Sequence, residues 1–200
     1  MTTVGILALQ GDVREHARAL KDVGATALPV RRAAELDKLD GLIIPGGEST
    51  TIIKLARIFE LLEPLREFVA SGRAVFGSCA GMILLADRVD DGGSPIEETI
   101  GGIDMTVRRN AFGRQVDSFE EDVRIDGIED GPIRAVFIRA PWVHEVGSKA
   151  TPLGHVTAGT AAGRIVAVRQ GKLLATSFHP ELTSDGRIHA YFCDMVRKQR

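Results

Sequence analysis

The sequence predicts an α/β protein with a mostly parallel, open sheet, helices on both faces and an antiparallel extension. Short continuous apolar runs alternate with amphipathic stretches through the first part of the chain. That order requires right-handed crossovers and a parallel sheet covered on both sides. Beyond it, short segments alternate apolar and polar residues, the mark of antiparallel strands that extend the sheet or form a small flap. A final amphipathic stretch closes the chain.

Val4-Gly5-Ile6-Leu7-Ala8-Leu9 reads as a central strand ending at Gln10-Gly11-Asp12. Asp12 is expected to cap a helix running to about Val23, which Gly24 closes. Ala27-Leu28-Pro29-Val30 and Gly41-Leu42-Ile43-Ile44-Pro45 are the next strands. Ile52, Leu55, Ala56 and Phe59 repeat at helical spacing, and a further helix covers about Pro64 to Ala70. Ala74-Val75-Phe76 is a buried strand. Asp90 to Gly102 is polar and glycine-rich, hence a surface loop. Ile103–Val107, Glu121–Ile125, Arg134–Ile138, Val143–Val146, Arg164–Val168 and Leu173–Phe178 are the later strands. Ile188, Tyr191, Phe192, Met195 and Val196 then share one face of a terminal helix.

The chain has 200 residues, 44% of them hydrophobic and 26% charged, as expected of one domain over residues 1–200 with a sizeable core. A net charge of −2 gives no electrostatic reason to expect nucleic acid or an anionic membrane as partner. No apolar run approaches the ~20 residues of a membrane span. The start of the chain lacks a basic leader, and Cys79 and Cys193 cannot form a disulfide framework. The expectation is a cytoplasmic protein.

Gly77-Ser78-Cys79-Ala80-Gly81 joins a strand to a helix and carries glycine two positions before and two after the cysteine. This is the G-x-nucleophile-x-G elbow with Cys in place of Ser. Only small neighbours fit so tight a turn. It aims the sulfur at a helix start, where backbone N–H groups and the macrodipole stabilise negative charge. Phe178-His179-Pro180-Glu181 follows another apolar strand. His179 suits the role of base and then acid toward Cys79. Glu181, two positions on, can accept the other imidazole N–H and fix the tautomer. The order nucleophile, histidine, acid differs from that of the α/β-hydrolases. Gly46-Gly47 follows a strand tip as the elbow does. The N–H groups of Gly47 and Ala80 would make a two-donor oxyanion hole; the plainer reading is a tight turn before a Ser49/Thr50 cap. His16, His144, His155 and His189 lack ligand-like spacing, so no metal or cofactor is expected. Cys193 reads as core packing on the last helix.

Leu42 to Thr50, Gly77 to Gly81 and His179-Pro180-Glu181 resemble the class I, triad-type glutamine amidotransferases, which have a flavodoxin-like core. Gly5 to Gly11, Arg109-Asn110-Ala111-Phe112-Gly113-Arg114-Gln115 and Phe137-Ile138-Arg139-Ala140-Pro141 narrow the resemblance to glutaminases that serve pyridoxal 5′-phosphate synthase. It covers nearly the whole chain. It implies hydrolysis of L-glutamine through a Cys79 thioester, with ammonia passed to a separate synthase subunit for pyridoxal 5′-phosphate. It also implies that Gly47, Glu48, Ser49, Arg109, Ile138 and Arg139 hold glutamine. Physically, Arg109 and Arg139 suit an α-carboxylate and Glu48 an α-ammonium. In the family the region of Gln10 faces the synthase. Trp142 is larger than the residue expected there, and Ser94-Pro95-Ile96 reads as an enlarged loop. A glutaminase serving another acceptor, or a catalytically idle binding subunit, are the competing readings.

Overall fold

The computed structural model describes residues 2–90, 98–109 and 118–198. The loop around Ser94-Pro95-Ile96 and the run Asn110–Gln115 lie outside the described residues. In chain order the elements are β1 (Thr3–Leu7), α1 (Val13–Asp22), β2 (Thr26–Val30), β3 (Gly41–Ile44), α2 (Ser49–Ile58), α3 (Leu62–Ala70), β4 (Ala74–Ser78) and α4 (Ala80–Leu85). There follow β5 (Ala86–Asp90), β6 (Ile103–Arg108), β7 (Ser118–Val123), β8 (Ile133–Ile138), β9 (Trp142–Val146), β10 (Thr151–His155), β11 (Ile165–Gln170), β12 (Leu173–Thr176) and α5 (Arg187–Arg197).

Strands β2, β1, β3, β4 and β12 lie side by side and parallel. From β12 the sheet continues through β11, β9, β6 and β5, with β10 paired to β11. The β12–β11, β11–β9 and β9–β6 pairings are antiparallel. Strands β7 and β8 form a separate antiparallel ribbon. The expected extension and flap therefore both exist.

Residues of β3 and β4 are buried on both faces, as their uninterrupted apolar sequences require. Leu42, Ile44 and Val75 pack with α2, α3 and α4 on one side. Ile43 and Phe76 pack with α1, α5 and the β8 ribbon on the other. Helix α5 buries Ile188, Phe192, Met195 and Val196, and Cys193 lies in the same core, as the helical spacing anticipates.

Five local expectations are corrected. Asp12 occupies the N-cap position of α1 but makes no side-chain cap hydrogen bond. Helix α2 is capped by Glu48, whose carboxylate accepts from the N–H groups of Thr50 and Thr51, rather than by Ser49 or Thr50. Strands β5 and β10 stand where no strand was expected. Strand β7 begins and ends earlier than the predicted Glu121–Ile125 segment.

The parallel block fixes where function sits. The C-terminal ends of β1, β3, β4 and β12 lead into Gln10–Asp12, Gly46–Glu48, Cys79 and Phe178–Glu181 respectively. Ligand sites of open α/β sheets lie at this edge.

Candidate active site

Cys79 directly follows β4 and precedes α4, with φ 48 and ψ −102. A side chain seldom adopts this backbone conformation, which costs of order 1–3 kcal/mol and is characteristic of functional turns. The flanking glycines make it possible. A Cβ on Gly77 would meet the backbone of Gly81, and one on Gly81 would meet the carbonyl of Ile44. The elbow thus packs helix start against strand end with no room for another methyl group.

His179 lies just past β12, anchored by its backbone N–H donating 2.9 Å to the carbonyl of Val136 in β8. Its Nδ1 is 2.8 Å from Glu181 Oε1 and 3.3 Å from Asp12 Oδ2. Both carboxylates therefore flank one ring nitrogen, leaving Nε2 for the Cys79 sulfur. Burial lowers the pKa of His179. Hydrogen bonds with Asp12, Cys79 and Glu181 and the charge of Cys79 outweigh it, and the pKa is pushed up to about 12. The arrangement favours the charged form of the imidazole. Glu181 is fully buried, and burial raises its pKa while the contact with His179 opposes the rise. Asp12, His179 and Glu181 offer ligand-type atoms within 4.8 Å of one another, but two carboxylates converging on a single Nδ1 form a hydrogen-bonded cluster.

In front of the sulfur lies a cleft of about 400 Å³. Gly47, Glu48, Ser49, Cys79, Ala80, Arg109, Ile138, Arg139 and His179 all line it. Of the predicted site residues only Glu181 does not; it stands behind His179. The Cys79 sulfur is 4.0 Å from the carbonyl oxygen of Ile138. Arg139 has φ 44, so the chain bends sharply where it enters the cleft. The Gly46–Glu48 loop is held from two sides. Gly46 N–H donates 3.1 Å to Ser78 Oγ, and Glu48 N–H donates 2.8 Å to Gln10 Oε1. A Cβ on Gly47 would lie 2.5 Å from that same Gln10 oxygen.

Glu48 does more than a free carboxylate would. Besides capping α2, its Oε1 is 3.2 Å from Arg109. Burial is the largest single contribution and raises its pKa, but the hydrogen bonds from Thr50 and Thr51 together outweigh it and hold it at about 2. The two residues expected to grip opposite ends of an amino acid are thus paired with each other in the cleft.

Sequence reasoning did not find Asp12, Gln10, His16 or His189 as parts of this region, and it gave Ser78 no role beyond its place in the elbow. Asp12 and Gln10 line the cleft itself. His16, His189 and Ser78 are fully buried behind it. A histidine four positions before Leu20, on the apolar face of α1, is the one available signal.

A doubly wound sheet carrying a cysteine elbow, a histidine and a buried carboxylate at its C-terminal edge is an arrangement chemically suited to nucleophilic attack by sulfur. The chain belongs to the SNO glutamine amidotransferase family, which matches residues 6–198. It is 65% identical over 196 residues to "Pyridoxal 5'-phosphate synthase subunit PdxT" of Acidothermus cellulolyticus, covering 98% of this chain and 94% of that one. It is 63% identical over 199 residues to the protein of the same name from Kineococcus radiotolerans, covering 98% and 96%. A crystal structure described as a glutamine amidotransferase superposes with a TM-score of 0.88 at 48% identity, covering 97% of this chain and 98% of that one.

Proposed function

We propose that this chain is the glutaminase of a pyridoxal 5′-phosphate synthase, a single domain over residues 1–200 that hydrolyses L-glutamine and hands the ammonia to a separate synthase subunit. The observation that carries the reading is the meeting of Cys79, His179 and Glu181 beside a cleft lined by the oxyanion and substrate candidates. The PdxT relatives, matched over nearly their full length, support the choice of acceptor.

In this reading the Cys79 sulfur attacks the carboxamide carbon of glutamine. The N–H groups of Gly47 and Ala80 receive the oxyanion. His179 gives its proton to the departing nitrogen as the C–N bond breaks, releasing ammonia and leaving a glutamyl thioester. The neutral imidazole then takes a proton from water, whose oxygen attacks the thioester carbonyl. The C–S bond breaks and glutamate leaves. Glu181 accepts the hydrogen bond of Nδ1–H throughout and keeps Nε2 facing the sulfur. Arg109 and Arg139 meet the α-carboxylate, while Glu48, already paired to Arg109, meets the α-ammonium. Gly47, Ser49 and Ile138 complete the walls.

Incubation with glutamine and the synthase subunit should release glutamate, and Cys79→Ala should abolish release. Equal turnover by that variant would overturn the reading. Ammonia transfer to a synthase of a different pathway, with none to the pyridoxal 5′-phosphate enzyme, would overturn the choice of acceptor.

A further inference from the structure

Behind Glu181, away from the cleft, runs a chain of fully buried polar groups that the reaction above leaves unused: Ser78, His16 on α1 and His189 on α5. His16 Nδ1 is 2.9 Å from His189 Nε2. His16 Nε2 is 3.0 Å from Ser78 Oγ and 3.5 Å from Glu181 Oε2. Ser78 Oγ is in turn 3.4 Å from Glu181 Oε1 and accepts from Gly46 N–H. His189 Nδ1 and Glu181 Oε2 have no hydrogen-bond partner among the described residues.

Proton accounting selects one arrangement of this chain. If His16 donated from Nδ1 to His189, then His189 would carry its own proton on Nδ1, which has no acceptor. A buried N–H would be orphaned, and a bare His16 lone pair would face the Glu181 carboxylate. In the opposite arrangement His189 Nε2–H donates to His16 Nδ1. His16 Nε2–H donates to Ser78 Oγ and toward Glu181 Oε2, and the Ser78 hydroxyl donates to Glu181 Oε1. Ser78 then accepts twice and donates once, its full capacity. The groups left over are both acceptors, the His189 Nδ1 lone pair and Glu181 Oε2, which His16 Nε2–H approaches only to 3.5 Å; an under-satisfied acceptor is easier to bury than an orphan N–H.

We propose that His16 is a positioning residue for the triad: as the neutral Nε2–H tautomer, fed by His189, it donates to Ser78 and Glu181, keeping Glu181 ionised and aimed at His179. Both imidazoles suit a neutral role. Burial first, then repulsion from His189 and His179, holds His16 well below its ordinary pKa. Burial lowers His189 to about 4. The titratable groups facing Glu181 are His179 from its own segment and Asp12 and His16 from the start of α1. Cys79 lies one step further through His179, and His189 one step further through His16.

The proposal rests on the glutaminase reading only for its kinetic readout. Two-bond nitrogen–proton NMR of the full chain labelled in histidine should show His16 neutral and protonated on Nε2 between about pH 6 and 8. A proton on Nδ1, or a charged ring, would overturn the proposal without any variant. His16→Leu should move the acidic limb of Cys79 alkylation by iodoacetamide, read by mass mapping, to higher pH, because Glu181 loses donors to its ionised form. With glutamine and synthase, kcat should fall about ten- to a hundred-fold with KM little changed. His16→Gln, whose amide N–H reaches the place of Nε2–H, should recover most of both. An unmoved alkylation profile in folded His16→Leu, or His16→Gln no better than His16→Leu, would also overturn it. Absence of glutamine turnover by the unmodified chain would count against the glutaminase reading instead, while tautomer and alkylation still decide the role of His16.

Discussion

Asp12 stands at the N-cap of α1, yet its carboxylate is turned away from the helix toward His179, with Oδ2 3.3 Å from Nδ1. Among the contributions that raise the pKa of His179, the hydrogen bond it donates to Asp12 stands first. Asp12→Asn keeps the shape and removes the charge. The NMR titration midpoint of His179 should fall by about one to three pH units, the usual effect of removing a neighbouring opposite charge. The thermal midpoint should change little, since Asn is as good an N-cap as Asp and no cap hydrogen bond is lost. An unmoved His179 midpoint would show that Asp12 does not hold the imidazolium.

Gly46 is the position where backbone shape and chemistry are most tightly joined. A Cβ there would lie 2.8 Å from His179 Nδ1 and 3.0 Å from Asp12 Oδ2, besides meeting the ring carbon between the two nitrogens. Gly46→Ala must therefore push the imidazole away from its carboxylates. The expected outcome is a fall in kcat of about a hundred-fold, the cost of misplacing a catalytic group by roughly 1 Å. Steady-state glutaminase kinetics with the synthase check this, alongside circular dichroism to confirm a folded chain. Near-normal kcat in Gly46→Ala would mean the ring has freedom that the structure does not grant it.

These two residues also show what the sequence could and could not reveal. Cys79 was legible because its constraint is local: a tight turn needs Gly77 and Gly81 nearby. His179 and Glu181 were legible from their two-residue spacing at a strand end, although Pro180–Leu182 forms a 3-10 turn and not the extended chain that such spacing suggests. Asp12 followed by an amphipathic run reads as a cap, and only the fold brings it to a histidine far along the chain. His16 fits an ordinary helix face until α5 places His189 beside it. Strand β10 was missed because Pro152 and Gly154 disfavour a strand by propensity; it survives as a side pairing on β11, with register shifts around Gly154. Strand β5 was missed because Asp87, Arg88 and Asp90 look like loop, whereas an edge strand tolerates charge.

Cys79 carries a strain that can be measured apart from its chemistry. Its φ of 48 and ψ of −102 suit glycine and strain every other residue. Cys79→Ala and Cys79→Gly should both lack glutaminase activity. Cys79→Gly should be the more stable of the two by about 1 kcal/mol or more, since only it relieves the backbone. Urea unfolding of the two variants side by side tests this. Greater stability of Cys79→Ala would mean the elbow is held without strain.

The proton on His179 also gives stability a definite pH dependence, provided the sulfur is removed from the balance. With Cys79 present, a proton moved from sulfur to imidazole leaves the total unchanged. In Cys79→Ala the hydrogen bonds to Asp12 and Glu181 remain to oppose burial, and the expectation is a folded pKa of His179 still above the ordinary 6.5. The folded chain then binds the extra proton, so this contribution is fully present below about pH 6.5 and is lost as pH rises through the folded value. The limiting slope is about 1.4 kcal/mol per pH unit for one proton. Glu48 has the opposite sign. Its folded pKa of about 2 lies below the ordinary 4.5, so its share is present above 4.5 and fades as pH falls through about 2. Its carboxylate is half exposed, so solvent screens much of the effect. Comparing Cys79→Ala with Cys79→Ala/His179→Gln by urea unfolding between about pH 7 and 9 isolates the histidine. The first should lose stability with rising pH faster than the second. Parallel curves would mean that the two carboxylates leave the imidazole neutral, and that it cannot begin the reaction as the acid.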